Sequence, residues 1–318
     1  MSVLEFEKPV LELESKIREL RATSGEPGFS VIEEVGRMER KIERLLKSAY
    51  TGISPDQKVQ VARHTDRPHF LDYSKALIED FTPLAGDRNF GEDKALIGGL
   101  GRFRGRPCVV MGQERGNDTT SRLKHNFGMA RPEGYRKAQR LLNMADQFNL
   151  PIITLVDTAG AYPGVDAEER GQSEAIARSI EAGLNVGVPY VCTIIGEGGS
   201  GGAIAIATGN RVYMMEHAVY SVISPEGCAS ILWRAASHAK EAAVALKITA
   251  QDMHQIGLVD GIIAEGLGGA HRNRELAMRN AGDMIETALK QMDGLDPQTL
   301  RQQRRDKFLA MGRITSKG

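Results

Sequence analysis

Residues 196–209 read Gly-Glu-Gly-Gly-Ser-Gly-Gly-Ala-Ile-Ala-Ile-Ala-Thr-Gly and follow directly on the apolar run Val188–Ile195. Five of the seven residues from Gly196 to Gly202 are glycine, and Ala203–Thr208 are all small or aliphatic. The pattern predicts a strand, a turn of nearly bare backbone and a short buried helix. With side chains stripped away, the first N–H groups of such a helix can themselves stabilise negative charge on a bound oxygen.

Three chemistries fit these glycines. Gly196-x-Gly198-x-x-Gly201 is a dinucleotide fingerprint, with Glu216 at roughly the spacing of a ribose contact. Against it, Gly209-Asn210 cuts the following helix short, and the motif lies two-thirds along the chain rather than opening a βαβ unit. Gly198-x-Ser200-x-Gly202 is a nucleophile elbow, with Asp260 and His271 following in hydrolase order. Asp260, however, lies in a Gly-Leu-Val-Asp-Gly corner, and extra glycines would loosen a turn meant to hold a serine. The third reading is an oxyanion hole of main-chain N–H groups at Gly201 and Gly202, where glycine lets a bulky acyl or ureido group approach the backbone. No Gly-x4-Gly-Lys-Ser/Thr run and no histidine pair at metal-ligand spacing accompanies it; a site working by backbone donors needs neither.

The surrounding pattern is that of an α/β chain. Two amphipathic stripes open it: Val10, Leu13, Ile17 and Leu20, then, beyond a break at 23–28, Val31, Val35, Met38, Ile42, Leu45 and Ala49. Their four-three spacing suits a helical hairpin. A strand hairpin is expected over 95–112, turning at Arg104-Gly-Arg-Pro107, followed by a polar loop from Gln113 to Asn126 and a helix over 132–148. Strands 152–156 and 188–195 alternate with a helix over 168–184. Strands 212–215 and 219–223 follow, then a helix capped by Ser224. A helix-to-strand segment covers 248–263. Helices over 274–292 and after Asp296-Pro297 complete the chain. Uninterrupted apolar strands alternating with helices imply a largely parallel, buried sheet.

The 318 residues balance 41 Lys and Arg against 41 Asp and Glu, so net charge points to neither nucleic acid nor an acidic membrane. Cys108, Cys192 and Cys228 are widely spaced and read as buried reduced thiols. No targeting signal or membrane-length apolar run is legible, and a cytoplasmic location is expected. Trp233 reads as core, His64 and His69 as surface residues, and Asp157 as a loop or helix cap. Glu197 either orients the turn or is solvated. Arg131, Arg136 and Lys137 read as a solvated helix face or contacts for coenzyme A phosphates.

Several long segments carry a family resemblance: Asn126-Phe-Gly-Met, Pro132-Glu-Gly-Tyr-Arg-Lys-Ala138, Asp157-Thr-Ala-Gly-Ala-Tyr-Pro-Gly164, Ala167-Glu-Glu-Arg-Gly-Gln-Ser-Glu-Ala-Ile-Ala177, Gly196–Ala203, Ser221–Trp233 and Leu267-Gly-Gly-Ala-His-Arg-Asn273. In this order they closely resemble the α-subunit family of the bacterial acetyl-CoA carboxylase carboxyltransferases. The chain departs from the family pattern at Ala159, where relatives carry proline, and in the polar residues of Gly112-Gln-Glu-Arg-Gly116.

The resemblance implies a crotonase-like (ClpP/crotonase) α/β superhelix of strand–strand–helix units with an N-terminal helical hairpin. It divides the chain into an arm over 1–33, a carboxyltransferase domain over 34–295 and a C-terminal helix over 296–318. The implied reaction moves a carboxyl group from carboxybiotin, held on a separate carrier protein, to acetyl-CoA, giving malonyl-CoA in the first committed step of fatty acid synthesis. No metal is implied in this chain. The implied partners are a β subunit (in an α2β2 heterotetramer), biotin carboxyl carrier protein and biotin carboxylase. Gly201 and Gly202 would be the oxyanion donors, with Gly198, Gly199 and Ser200 shaping the approach and Gly160, Ala161, Tyr162, Pro163 and Gly164 lining the biotin pocket. A Gly202→Val change is expected to stop transfer without harming the fold. The competing reading is a stand-alone crotonase-type acyl-CoA hydratase or isomerase, which needs a glutamate base; Glu197 and Glu226 are its candidates.

Overall fold

The computed structural model describes residues 3–23 and 29–312. Its centre is a sheet of β1 (Ile78–Pro83), β2 (Leu96–Phe103), β3 (Arg106–Gln113), β4 (Ile152–Thr158), β5 (Tyr190–Gly199), β6 (Arg211–Met215), β7 (Val219–Ser221) and β8 (Gly261–Ile263). The spatial order is β1-β2-β3-β4-β5-β6-β8, with β7 beside β5. β1, β2 and β3 run antiparallel, whereas β3 to β6 and β8 form parallel pairs. Every residue of β4 and β5 is buried, which explains why both read as continuous apolar runs rather than alternating ones.

The hairpin falls where expected. Phe103 pairs with Arg106 across Arg104 (φ 50°) and Gly105 (φ 78°), a two-residue turn with both φ angles positive. The expected helix over 168–184 divides into Val165–Glu169 and Gln172–Asn185, because Gly171 takes a left-handed φ of 79° between them. Ser224 accepts from Gly227 N at 3.0 Å and Asp296 from Thr299 N at 3.0 Å, so both predicted caps are formed.

The arm is the pair of helices Lys8–Thr23 and Phe29–Tyr50, packed together with an Arg21–Glu39 ion pair at 2.9 Å; the break at 24–28 lies outside the described residues. The second helix runs unbroken through 33 and 34, so an arm ending at 33 would divide one rigid element. Glu7 fastens the arm to the body. Its carboxylate accepts from Arg272 Nη2 at 2.7 Å, lies 3.2 Å from His271 Nε2, and accepts from the Tyr50 hydroxyl.

Burial pushes the Glu7 carboxyl up, but the bonds from His271, Arg272 and Tyr50 outweigh it and hold it at about 2, against an ordinary 4.5. A depressed carboxyl stabilises the folded state above its ordinary pKa, and that contribution fades as pH falls from about 4.5 through about 2. Glu7→Gln imitates the protonated state at neutral pH. It is expected to speed amide hydrogen exchange along Lys8–Thr23; unchanged exchange would show that helix packing alone holds the arm.

Candidate active site

The carboxyl ends of β4 and β5 carry the glycine-rich segment, the usual place for ligands in a parallel sheet. β5 does not stop at Ile195. It continues to Gly199, leaving β6 after Ile194 and pairing Glu197, Gly198 and Gly199 with Val219, Tyr220 and Ser221 of β7. Against β4 the register jumps from Val156↔Ile194 to Thr158↔Gly198, a bulge on β5. Asp157 fills it: Oδ1 accepts from Glu197 N at 3.1 Å, and a Cβ on Gly196 would lie 2.6 Å from the same oxygen.

The glycines therefore do different jobs. A Cβ on Gly199 would lie 2.1 Å from Ala159 O, and one on Gly198 would lie 2.9 Å from the Tyr220 ring. These positions are small so that the chain can pack on itself. At Gly201 a Cβ would meet only Ile176, at 3.5 Å, an ordinary contact. The bend itself is at Ser200, whose φ of 50° is strained for a residue with a side chain. The helix Ser200–Ile204 follows with no side-chain cap, so its first N–H groups, those of Gly201 and Gly202, are of the kind that lacks an intrahelical partner. Gly201 O, by contrast, accepts from Ala205 N at 3.0 Å. In a trans peptide the N–H opposes the carbonyl, so this bond turns the Gly202 N–H back out of the helix start.

The segment 160–164 is brought against this bend. A Cβ on Gly202 would lie 2.7 Å from Gly160 C and 2.8 Å from Ala161 N, and the Gly160 φ of 152° is reserved for glycine. Gly202→Val is thus not a clean loss of one contact: it would have to displace the 160–161 backbone. The loop is well held. Thr158 Oγ1 bonds Gly160 O at 2.7 Å, Tyr162 N reaches Ala130 O at 3.0 Å, and Gln172 Nε2 reaches Tyr162 O at 2.8 Å. The Tyr162 ring lies against Gly164, where a Cβ would be 2.2 Å from its Cε1, and the Arg131 guanidinium stacks on it 4.3 Å from its centroid. Pro163 is exposed.

Behind the bend is a buried charge network that the sequence did not disclose. Asp157, 1% exposed, sits 2.8 Å from His69 Nδ1 and 3.4 Å from Arg115 Nη1. Burial pushes its carboxyl up, but the Arg115 charge and the His69 bond hold it below the usual range. Glu197, 6% exposed, pairs with Arg63 at 2.6 Å and Arg115 at 2.9 Å, and is neither solvated nor capping the turn. His64 and His69 are both buried, contrary to the surface reading, and the His64 ring stacks on His271 at 4.2 Å. Lys137 is also buried, on Glu92 at 2.6 Å, and Arg136 reaches Asp87 and Arg170 O, so neither is a solvated cation awaiting phosphate. Trp233 is 41% exposed rather than core.

The rival chemistries are not assembled. Asp260 accepts from Val212 N at 2.7 Å and pairs with Lys307, while His271 binds Glu7, so Ser200 has no triad. The helix after the fingerprint glycines has five residues, and the Glu216 carboxylate accepts from Glu265 N at 3.2 Å. Glu197 is locked between arginines and Glu226 is held by Arg63 at 2.7 Å, which leaves no free glutamate base at the bend. Among the described residues no group of three or more His, Cys, Asp or Glu is placed to hold a metal ion.

Residues 3–312 match the family described as acetyl co-enzyme A carboxylase carboxyltransferase-like. The acetyl-coenzyme A carboxylase carboxyl transferase subunit alpha of Paramagnetospirillum magneticum is 63% identical over 313 residues, covering 98% of this chain and 99% of that protein. Its namesake from Rhodospirillum centenum is 62% identical, with 98% of each covered. Among solved structures, a transcarboxylase 12S with hydrolysed methylmalonyl-coenzyme A bound superposes with a TM-score of 0.59 at 20% identity, over 75% of this chain and 45% of that one. The β subunit of P. aeruginosa geranyl-CoA carboxylase gives 0.57 at 16% identity, over 79% and 46%. This chain spans less than half of either solved chain, and the likeness is one of fold, the crotonase-like α/β superhelix.

Proposed function

The chain belongs to the acetyl-CoA carboxylase carboxyltransferase family, as its α subunit, and from that premise we propose that the bend at Gly201–Gly202 and the loop Gly160–Gly164 form the carboxybiotin half-site. It is a transferase of fatty acid biosynthesis, one subunit of a multi-subunit carboxylase that makes malonyl-CoA. What supports the site assignment is the pair of adjacent N–H groups at Gly201 and Gly202 in the uncapped first turn of a helix, at a bend facing Gly160 and Ala161.

These residues suit a ureido group. Its oxygen needs neutral donors that strengthen as negative charge builds, and its flat bicycle needs backbone without side chains. Bound carboxybiotin supplies the activated carboxyl group and, once relieved of it, a basic nitrogen. Gly201 N–H and Gly202 N–H would donate to the ureido oxygen. Ser200 fixes the direction of the bend, Gly198 and Gly199 let β5 close on Tyr220 and Ala159, and Ala161, Tyr162, Pro163 and Gly164 would line the slot. No side chain of the bend then needs to act as acid or base.

We assign the acetyl-CoA half-site to a β subunit in an α2β2 assembly, with carboxybiotin delivered by a carrier protein and charged by a biotin carboxylase, all in the cytoplasm. Val222, Ile231 and Leu232, each more than two-thirds exposed, support such a partner: they follow Ser221, which pairs with Gly199. Purified chain, alone and mixed with a β subunit, is to be given the carboxylated carrier and acetyl-CoA. Malonyl-CoA is expected only in the mixture. Hydration of an enoyl-CoA by the chain alone would overturn the assignment in favour of a stand-alone crotonase.

A further inference from the structure

We propose that Gln113 is a positioning residue for the two oxyanion donors, an inference that rests on the half-site reading above. The helix Ser200–Ile204 is too short to satisfy its own carbonyls. Gly201 O takes Ala205 N at 3.0 Å, and then the ladder tightens: Ala203 O takes Ile206 N at 3.2 Å and Ile204 O takes Ala207 N at 3.2 Å. That step passes over Gly202 O. Gln113, 0% exposed at the end of β3, supplies the missing donor, with Nε2 2.9 Å from Gly202 O and Oε1 accepting from Asp157 N at 3.1 Å. Each end of the amide has a partner of opposite kind, so only one orientation satisfies both.

One side chain thus ties the ends of β3 and β4 to the bend. A glycine has no Cβ to restrict rotation about its own bonds, so Gly202 depends on outside restraints to hold its dihedrals. The Gly202 N–H is fixed through Gly201 O and the following carbonyl through Gln113. If the second restraint is lost, a buried carbonyl must turn to find another donor, and the neighbouring N–H groups turn with it. The next two polar residues also face inward: Glu114 accepts from Leu71 N and Gly116 N, and Arg115 meets Glu197 and Asp157. The segment Gly112–Gly116 builds the site from behind.

The test compares Gln113→Leu, Gln113→Glu and the control Thr154→Val, each in complex with the β subunit. Thr154 makes the same kind of bond further along, Oγ1 to Ile206 O at 2.8 Å, where the Tyr190 hydroxyl also donates. Gln113→Leu is expected to lower kcat by roughly 10- to 100-fold with KM for acetyl-CoA unchanged, as misplacement of a preorganised group does. Amide exchange across 196–206 is expected to quicken in the same variant. Thr154→Val should leave both close to wild type. If Gln113→Leu does not fold, Gln113→Glu carries the test, since it keeps length and the acceptor but loses the donor. A kcat for the Gln113 variants equal to that of Thr154→Val, or unchanged exchange across 196–206, overturns the proposal. Should Gly201→Pro (below) keep its rate, the donor assignment itself falls; loss there without loss at Gln113 rejects Gln113 alone.

Discussion

Gly201→Pro is expected to slow carboxyl transfer by roughly 10²- to 10³-fold, the usual cost of removing one oxyanion donor, in a chain that still folds. Proline deletes the N–H, and its Cβ would meet only Ile176, at 3.5 Å. The first turn of a helix tolerates it, because that N–H has no intrahelical partner. Gly201→Ala is the matched control. It keeps the donor and places a methyl 3.5 Å from Ile176, so its rate isolates the steric cost of a side chain at this position from the loss of the donor, and should lie well above that of Gly201→Pro. One strain needs isolating: proline disfavours some conformations of the residue before it, and Ser200 has a φ of 50°. Ser200→Gly adopts that φ freely, so the double variant Ser200→Gly/Gly201→Pro separates strain from donor loss. A folded double variant within about tenfold of Ser200→Gly would end the donor assignment, since one lost donor is worth more than that.

The largest loss of stability is expected at Glu265. Arg67 and Glu265 are both fully buried, joined by Nη1 to Oε2 at 2.7 Å and by a second bond from Nη2. Arg67 Nε also donates to Ile195 O at 2.7 Å, at the start of the bulge, and Glu265 accepts from His217 N and Ala270 N. Glu265→Gln keeps the shape but leaves the guanidinium without a counter-charge, which costs about 3 kcal/mol or more in a buried pair. Burial pushes the Glu265 carboxyl up, yet the Arg67 charge and bonds outweigh it and hold it at about 2, below its ordinary 4.5. Its stabilisation is therefore complete above about 4.5 and fades as pH falls through about 2, so the gap between wild type and variant should narrow over that range. Urea unfolding at several pH values reads this directly. A gap below about 1 kcal/mol at neutral pH, no more than a surface pair contributes, would show that the pair is not the brace described.

Much of the architecture was legible along the chain. The hairpin turn, the caps at Ser224 and Asp296 and the two buried strands depend on neighbours a few residues away, and local pattern reports those neighbours well. The strand, the bare turn and the short helix after it were legible too, because a glycine run between apolar residues and small ones marks a close turn; its use as a donor site is the proposal made above. Only the tertiary structure separated the glycines, since the need for a bare Cα at Gly196 and Gly199 arises from Asp157 on β4 and Ala159 just beyond its end. It also placed the charges. His69 meets Asp157 across 88 residues, and Arg67 meets Glu265 across 198. A charged residue looks solvated from its sequence neighbours, and burial becomes affordable only when a distant partner supplies the opposite charge, so periodicity could not reveal it.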